Sequence, residues 1–500
     1  MRHRSRKAGL ALASTAVLMT AAATAVAVSP ASSTTASESS TYLVVYKGSS
    51  TPADSAAQIS AAGGTVVASY SKIGVVVARS ASSSFASAVE RDGRVLGAAS
   101  TAKLGAAVAD QAADAGDATP AVAAAWGDSL SGLQWDMTQI NVPEAHGIND
   151  GTTDVVVGDL DTGLDFTHPD LAPNYDASKS ADCSSGAAQP LAVGNDANGH
   201  GTHTAGTIAA AANGTGVVGV APGVKIAGVK SSNDDGFFFP EMVVCAYMWV
   251  AEKGIDVTNN SYFADPWLYN CVNDPEQRLI WQAERRAINY ARSKGTVVVA
   301  SQGNFSDDLS HPTRDITSPD NTTPVEREIR NQCRVVPTEV PGVVGVTSTG
   351  ADGLKAYYSS YGISTADVAA PGGDRRFQIP ATTGNGRVLS SWPLAAGCAA
   401  SQTVFDNGAK YCWAQGTSMA APHVAGLAAL ILSENPGMSP GAVEALMQQT
   451  ATPRACPDTT QPIYANFPSA NNDAPQTCTG GTGHNSFYGS GEVNALAALQ

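Results

Sequence analysis

The stretch DVVVGDLDTGLDFTHPDL, residues 154–171, opens on an apolar, β-branched run and passes directly into Asp-Thr-Gly. A strand that is apolar throughout, with no polar alternation, belongs in a parallel sheet covered on both faces. Runs of the same kind recur at VKIAGVK (224–230), IDVTNNS (255–261), GTVVVAS (295–301), VVGVTS (343–348) and ADVAAPG (366–372). Between and after them the pattern predicts helices over 202–212, 240–253, 274–294, 418–433 and 440–449. Strands alternating with helices predict an α/β fold, a mainly parallel sheet with helices on both sides. In such sheets functional groups collect at the carboxyl ends of the strands. Asp161 stands at one such end. Asp159 shares its face, because the side-chain period is two, but lies further inside the strand. The strand-end position favours Asp161.

Two other segments carry chemistry at comparable places. In NGHGTHTAGTIAAAANGTG (198–216), His200 opens a helix and His203 lies one turn on. The pair lacks the HExxH pattern and has no carboxylate between the histidines, which argues against a zinc site. In GTSMAAPHVAG (416–426), Ser418 stands where a turn becomes a helix, with Pro422 expected in its first turn. A helix start offers free backbone N–H groups and partial positive charge. Each residue alone reads as an ordinary cap or a satisfied polar group. Together an Asp, a His and a Ser make the set needed for acyl transfer. The imidazole takes the hydroxyl proton, the carboxylate orients the imidazole, and fixed donors hold the oxyanion. Asn304, after the buried strand in GTVVVASQGNFS (295–306), is a candidate donor, and the Ser418 N–H is a second. An α/β-hydrolase esterase would show GxSxG, which is absent around Ser418.

The rest of the chain sets the context. Arg2, Arg4, Arg6 and Lys7 precede an apolar run over 8–28, which reads as a secretory signal within residues 1–31. Residues 41–103 follow the order βαββαβ and predict a small α+β, ferredoxin-like unit. Residues 104–130 read as a linker and 131–500 as the main domain. Net charge is +6 for residues 1–103 and −21 for the remainder. The acidic body argues against nucleic acid and anionic membrane partners. All eight cysteines lie beyond residue 180, and their even number in an exported chain reads as disulfides. Proximity favours Cys398–Cys412 and Cys456–Cys478. Cys245–Cys271 is plausible, which leaves Cys183–Cys333. The expected product is secreted and monomeric, without a membrane anchor.

DTGLDFTHPDL (161–171), GHGTHTAGT (199–207), GVVGVAPGVKIAGVK (216–230), SQGN (301–304), VAAPG (368–372), GTSMAAPHVAG (416–426) and YGSGEVNALAAL (488–499) together resemble the subtilisin-like serine proteases. The resemblance covers the chain from about Gln134 onward. It implies a secreted endopeptidase with Asp161 as orienting carboxylate, His200 as general base, Ser418 as nucleophile and Asn304 as oxyanion donor. It also implies that Ser261, Tyr262 and Gly303 bind substrate, and that the N-terminal unit is a propeptide cut in residues 104–130. That propeptide would inhibit its own enzyme, and the substrates would be proteins or peptides. No cofactor is implied for the chemistry. A structural calcium at Asp170 and Asn213 is implied by the family, although Ser131 stands where its N-terminal glutamine ligand is expected. The family's Ser-Leu-Gly substrate strand is Ser261-Tyr262-Phe263 here. Segments around 264–282, 305–334 and 377–411 are longer than in simple members and are expected to rim the cleft. A secreted binding protein that keeps the fold without the chemistry is the alternative.

Overall fold

The computed structural model of the protein describes residues 39–101 and 125–500. The signal segment and most of the linker lie outside the described residues.

The N-terminal unit runs β1 (Ser40–Tyr46), α1 (Ser55–Ala61), β2 (Thr65–Tyr70), β3 (Val75–Ser80), α2 (Phe85–Val89) and β4 (Val95–Ser100). Its strands pair antiparallel in the order β2-β3-β1-β4. One face of this sheet buries Val44, Val76 and Ala78 against Ile59, Phe85 and Val89 of its own helices.

The main domain follows the order read from the apolar runs, with a short edge strand β6 that no run announced: β5 (Val156–Asp161), β6 (Ala181–Asp182), α3 (His200–Ala209), β7 (Lys225–Lys230), α4 (Pro240–Lys253), β8 (Val257–Asn260), α5 (Pro275–Ser293), β9 (Val297–Ser301), β10 (Val344–Thr349) and β11 (Val368–Pro371). Then come β12 (Val388–Trp392), β13 (Thr403–Asp406), β14 (Ala409–Ala414), α6 (Thr417–Glu434) and α7 (Pro440–Thr450). Among the described residues the main sheet has seven parallel strands, ordered β11-β10-β9-β8-β5-β7-β6. Adjacent valines point to opposite layers. Val157, Val297 and Val299 pack with α3, α6 and α7, whereas Val156, Val298 and Ala300 pack with α4 and α5. Each such fully buried valine contributes about 1.5–3 kcal/mol. The strand order reverses beside β5, which opens a crevice at the carboxyl ends of β5 and β8.

The second face of the N-terminal sheet lies on α4 and α5, where Leu43, Val45, Val75 and Val77 join the core of Val243, Val244, Leu279 and Ala283. Arg286 of α5 reaches across, its Nη1 donating to the carbonyls of Tyr46 (2.9 Å), Ile73 (3.1 Å) and Gly48 (3.3 Å). The Tyr70 hydroxyl donates to Gly186 O at 2.7 Å, and Ser100 N to Glu276 Oε1 at 3.2 Å.

The four disulfides are Cys183–Cys245, Cys271–Cys333, Cys398–Cys412 and Cys456–Cys478. The last two match the expectation from proximity. Cys245–Cys271 and Cys183–Cys333 are corrected. Asn270–Cys271 pairs antiparallel with Cys333–Arg334, so Cys271 stands opposite Cys333. Cys183 directly follows edge strand β6 and packs in the same core layer as α4, beside Cys245. Chain separation misled here because α4 folds back over the sheet.

Candidate active site

Asp161 ends β5, fully buried, and His200 begins α3. The imidazole Nδ1 lies 2.7 Å from Asp161 Oδ1, which also accepts from Thr162 N at 2.7 Å. The close approach depends on Gly201. A methyl there would stand 2.2 Å from Gly163 O. A residue that sequence reasoning missed holds this corner. Buried Asp196 accepts from Thr162 Oγ1 (2.9 Å) and Gly199 N (2.8 Å) on one oxygen, and from Thr202 N (3.0 Å) and Oγ1 (2.6 Å) on the other. The signal was available, since a helix start leaves N–H groups in need of an acceptor and Asp196 lies just upstream. His203 is structural. Its Nε2 meets the carbonyls of Val388 (3.2 Å) and Cys412 (3.1 Å), and burial pushes its imidazole down to about 3.

Ser418 occupies the second position of α6, and its hydroxyl donates to Ser261 O at 3.2 Å. In return Ser261 Oγ donates to Ser418 O at 2.8 Å. Pro422 corrects an expectation here. The helix starts at Thr417, so the proline lies beyond the first turn, inside the helix. It removes the N–H that would bond Ser418 O four residues back, and Ser261 takes that carbonyl instead. Met419, Val424, Leu427 and Leu430 are fully buried and anchor the helix in the core, as expected.

Asn304 Oδ1 accepts from Thr417 N (2.9 Å) and Thr417 Oγ1 (3.0 Å). A backbone N–H can only donate, so this contact fixes the amide oxygen and turns the NH₂ group the other way. A methyl on Gly416 would sit 3.4 Å from Asn304 Nδ2 and 3.5 Å from Ser418 N. The two donors therefore flank one small space, which glycine leaves open. Gly303 is tied to the same turn by its N–H to Thr417 Oγ1 at 3.0 Å.

One cleft of about 500 Å³ is lined by His200, Ser261, Tyr262, Gly303, Asn304 and Ser418. The long segments contribute to it through Leu268, Phe305, Trp392 and Gln402. Tyr262 stacks on Phe238 with centroids 4.2 Å apart and planes at 4°, and its hydroxyl turns inward to Asn260 Oδ1 at 3.1 Å. Close to Val335, the half-buried Glu339 accepts from Val335 N at 2.7 Å, and desolvation raises its carboxyl to about 8. The folded state therefore binds a proton that the unfolded state releases near 4.5, and this contribution is lost as pH rises toward 8. Glu339→Gln should gain thermal midpoint relative to the parent between pH 5 and pH 9. A constant offset across that range contradicts the desolvated, protonated acid.

The calcium position fits poorly. Asp170 Oδ2 accepts from Val217 N at 3.1 Å, while its Oδ1 is buried without a partner. Asn213 Oδ1 is engaged by Thr215 N (3.1 Å) and Oγ1 (2.8 Å). The N–H groups of Asn213 and Gly214 turn to Asp128, both at 2.8 Å, and that of Gly216 to Asp406 at 3.0 Å. The loop thus turns these donors toward carboxylates, and Asn213 Oδ1 is already engaged, which leaves Asp170 Oδ1 as the side-chain oxygen of this pair free to face a cation. Among the described residues no three acidic, histidine or cysteine side chains converge as a cation site. A chelator is expected to leave the thermal midpoint within about 1 °C, and a larger fall shows a bound ion.

The subtilase family model matches residues 152–491. Fervidolysin of Fervidobacterium pennivorans is 29% identical over 346 residues, 65% of this chain and 41% of the relative. The chain thus spans less than half of that protein. Subtilisin BL of Lederbergia lenta is 29% identical over 369 residues, 74% of this chain and 99% of the relative. The crystal structure of the epidermin leader peptide processing serine protease from Staphylococcus aureus aligns with a TM-score of 0.67 at 22% identity. It covers 93% of this chain and 98% of its own, a likeness of fold.

Proposed function

The chain belongs to the subtilase family of serine proteases, and from that premise we propose a secreted endopeptidase that cuts peptide bonds through an acyl-enzyme at Ser418. The hydroxyl hydrogen leaves Ser261 O and turns to His200 as Ser418 Oγ attacks the scissile carbonyl. Asp161 keeps the imidazole in the tautomer that accepts this proton and stabilises the cation formed. Asn304 Nδ2 and Ser418 N hold the oxyanion, and His200 then returns the proton to the leaving amine. Substrate lies along Ser261, Tyr262 and Gly303. No cofactor enters these steps. The single observation that supports the reading most is the 2.7 Å contact of His200 with buried Asp161, at the mouth of the cleft Ser418 lines.

The N-terminal unit is read as a propeptide that templates α4 and α5 and is released after self-cleavage in residues 104–130. Its seat on these helices supports that role. The four disulfides support maturation in an oxidising compartment, and among the described residues no helix is long and apolar enough to cross a membrane. The mature enzyme acts as a monomer on proteins or peptides. In the full chain, Arg286→Ala should let the cleaved unit leave about tenfold more readily. The readout is a shorter lag before hydrolysis, and an unchanged lag counts against the docking role.

A fluorophosphonate probe applied to the matured protein tests the chemistry. Labelling of Ser418 is expected, located by peptide mass. A folded protein that takes no label is a silent binder on the same fold.

A further inference from the structure

Asp159, the carboxylate one pleat behind Asp161, is 1% exposed and belongs to a buried polar chain. Its Oδ1 accepts from Asn259 Nδ2 at 2.8 Å, and its Oδ2 lies 2.7 Å from Thr204 Oγ1. Asn259 Nδ2 continues to Ser261 Oγ at 3.1 Å, and Ser261 holds Ser418 O. Thr204 lies on α3, one turn after His200. One carboxyl thus links the strand of Asp161, the helix of His200 and the peptide of Ser418.

The Thr204 hydroxyl fits either form of the acid. Thr204 owns one hydroxyl hydrogen and faces three oxygens: Asp159 Oδ2, Gly201 O at 3.0 Å and His200 O at 3.3 Å. Both carbonyls lie inside α3 and accept the helix N–H groups of Thr204 and Ala205, so an ionised Asp159 could take that hydrogen without orphaning either. A protonated Asp159 donates its own to Thr204 Oγ1, which then serves Gly201 O. Charge favours the protonated form. The groups facing Asp159 are Asp161 on its own strand and His200 on α3. Strand β8 brings only uncharged side chains. On α6, His423 is paired with Asp136 at 3.0 Å, and on β7, Lys230 lies 3.2 Å from Asp234. Burial, with Asp161 adding to it, pushes the Asp159 carboxyl well above the usual range.

We propose that Asp159 is a neutral carboxylic acid in the working enzyme and a positioning residue that ties the base and the nucleophile to one strand. The proposal rests on the roles given above to Asp161, His200 and Ser418.

The test compares Asp159→Asn and Asp159→Ala in the full chain, matured normally. The amide reproduces the neutral acid, accepting from Asn259 and donating to Thr204. Asp159→Asn is expected to hold kcat within about threefold and the acid limb of kcat/KM within about 0.2 pH units of the parent. Asp159→Ala is expected to lower kcat more than about tenfold with KM little changed. An ionised Asp159 raises the proton affinity of His200, so its loss moves the acid limb downward. A fall of about half a unit or more in Asp159→Asn overturns the proposal, as does parental kcat in Asp159→Ala. If the alanine variant fails to fold, the acid limb of the asparagine variant decides alone. A parent that neither hydrolyses peptides nor takes the fluorophosphonate defeats the functional reading. An active parent whose acid limb falls in Asp159→Asn defeats only this inference.

Discussion

Ser418→Ala is expected to abolish peptide hydrolysis, lowering kcat by about 10⁶, and to leave the full chain uncleaved. That magnitude is the one established for subtilisin, a relative of this chain, and is carried over rather than derived from this geometry. The fold should survive. Ser418 Oγ makes one hydrogen bond, to Ser261 O at 3.2 Å, and alanine suits the helix at least as well. The N-terminal unit should then stay joined to the main domain, because no acyl-enzyme forms to sever it. Casein digestion and intact mass read the two outcomes separately. Turnover within tenfold of the parent removes Ser418 as nucleophile. A processed but inactive variant shows that another protease cuts the linker.

The second large effect is expected at Asn304. Losing one oxyanion donor costs about 10²–10³ in kcat, roughly 2.7–4 kcal/mol, again a scale known from subtilisin. Asn304→Ala alone would mislead. It also strips the acceptor from Thr417 N and Thr417 Oγ1, which fix the turn before Ser418. Asn304→Asp separates the two roles. It keeps an oxygen for Thr417, removes the N–H donor, and places negative charge where charge develops. Both variants should lose kcat with KM nearly unchanged, and the aspartate should lose at least as much. An aspartate variant with parental kcat leaves Asn304 as an anchor for Thr417 and nothing more.

The strands of the sheet, the long helices and the βαββαβ unit were legible because burial on both faces, 3.6-residue periodicity and turn residues all act within short windows. Helix α4 (Pro240–Lys253) falls where the pattern placed it, and helix α3 starts two residues early, at His200 itself. The sheet of β12, β13 and β14 was not foreseen, since its strands alternate with a loop closed by Cys398–Cys412 and carry no long apolar run. Which of Asp159 and Asp161 faces His200 was legible from strand position. What Asp159 bonds was not, because Thr204 and Asn259 reach it from other elements. The Cys183–Cys245 pair shares that cause, since its partners are set by how α4 lies on the sheet, which no local window encodes, whereas Asp196 bonds mainly to the nearby Gly199 and Thr202 and was legible as a cap.

A prolyl ring inside α6 gives the reactive turn some slack from the helix behind it. With the ladder interrupted at Ser418 O, that peptide is geared to Ser261, which sits on the wall where a substrate strand would lie. On the proposed reading, a peptide lying along that wall would sit one hydrogen bond away from the backbone that carries the attacking hydroxyl.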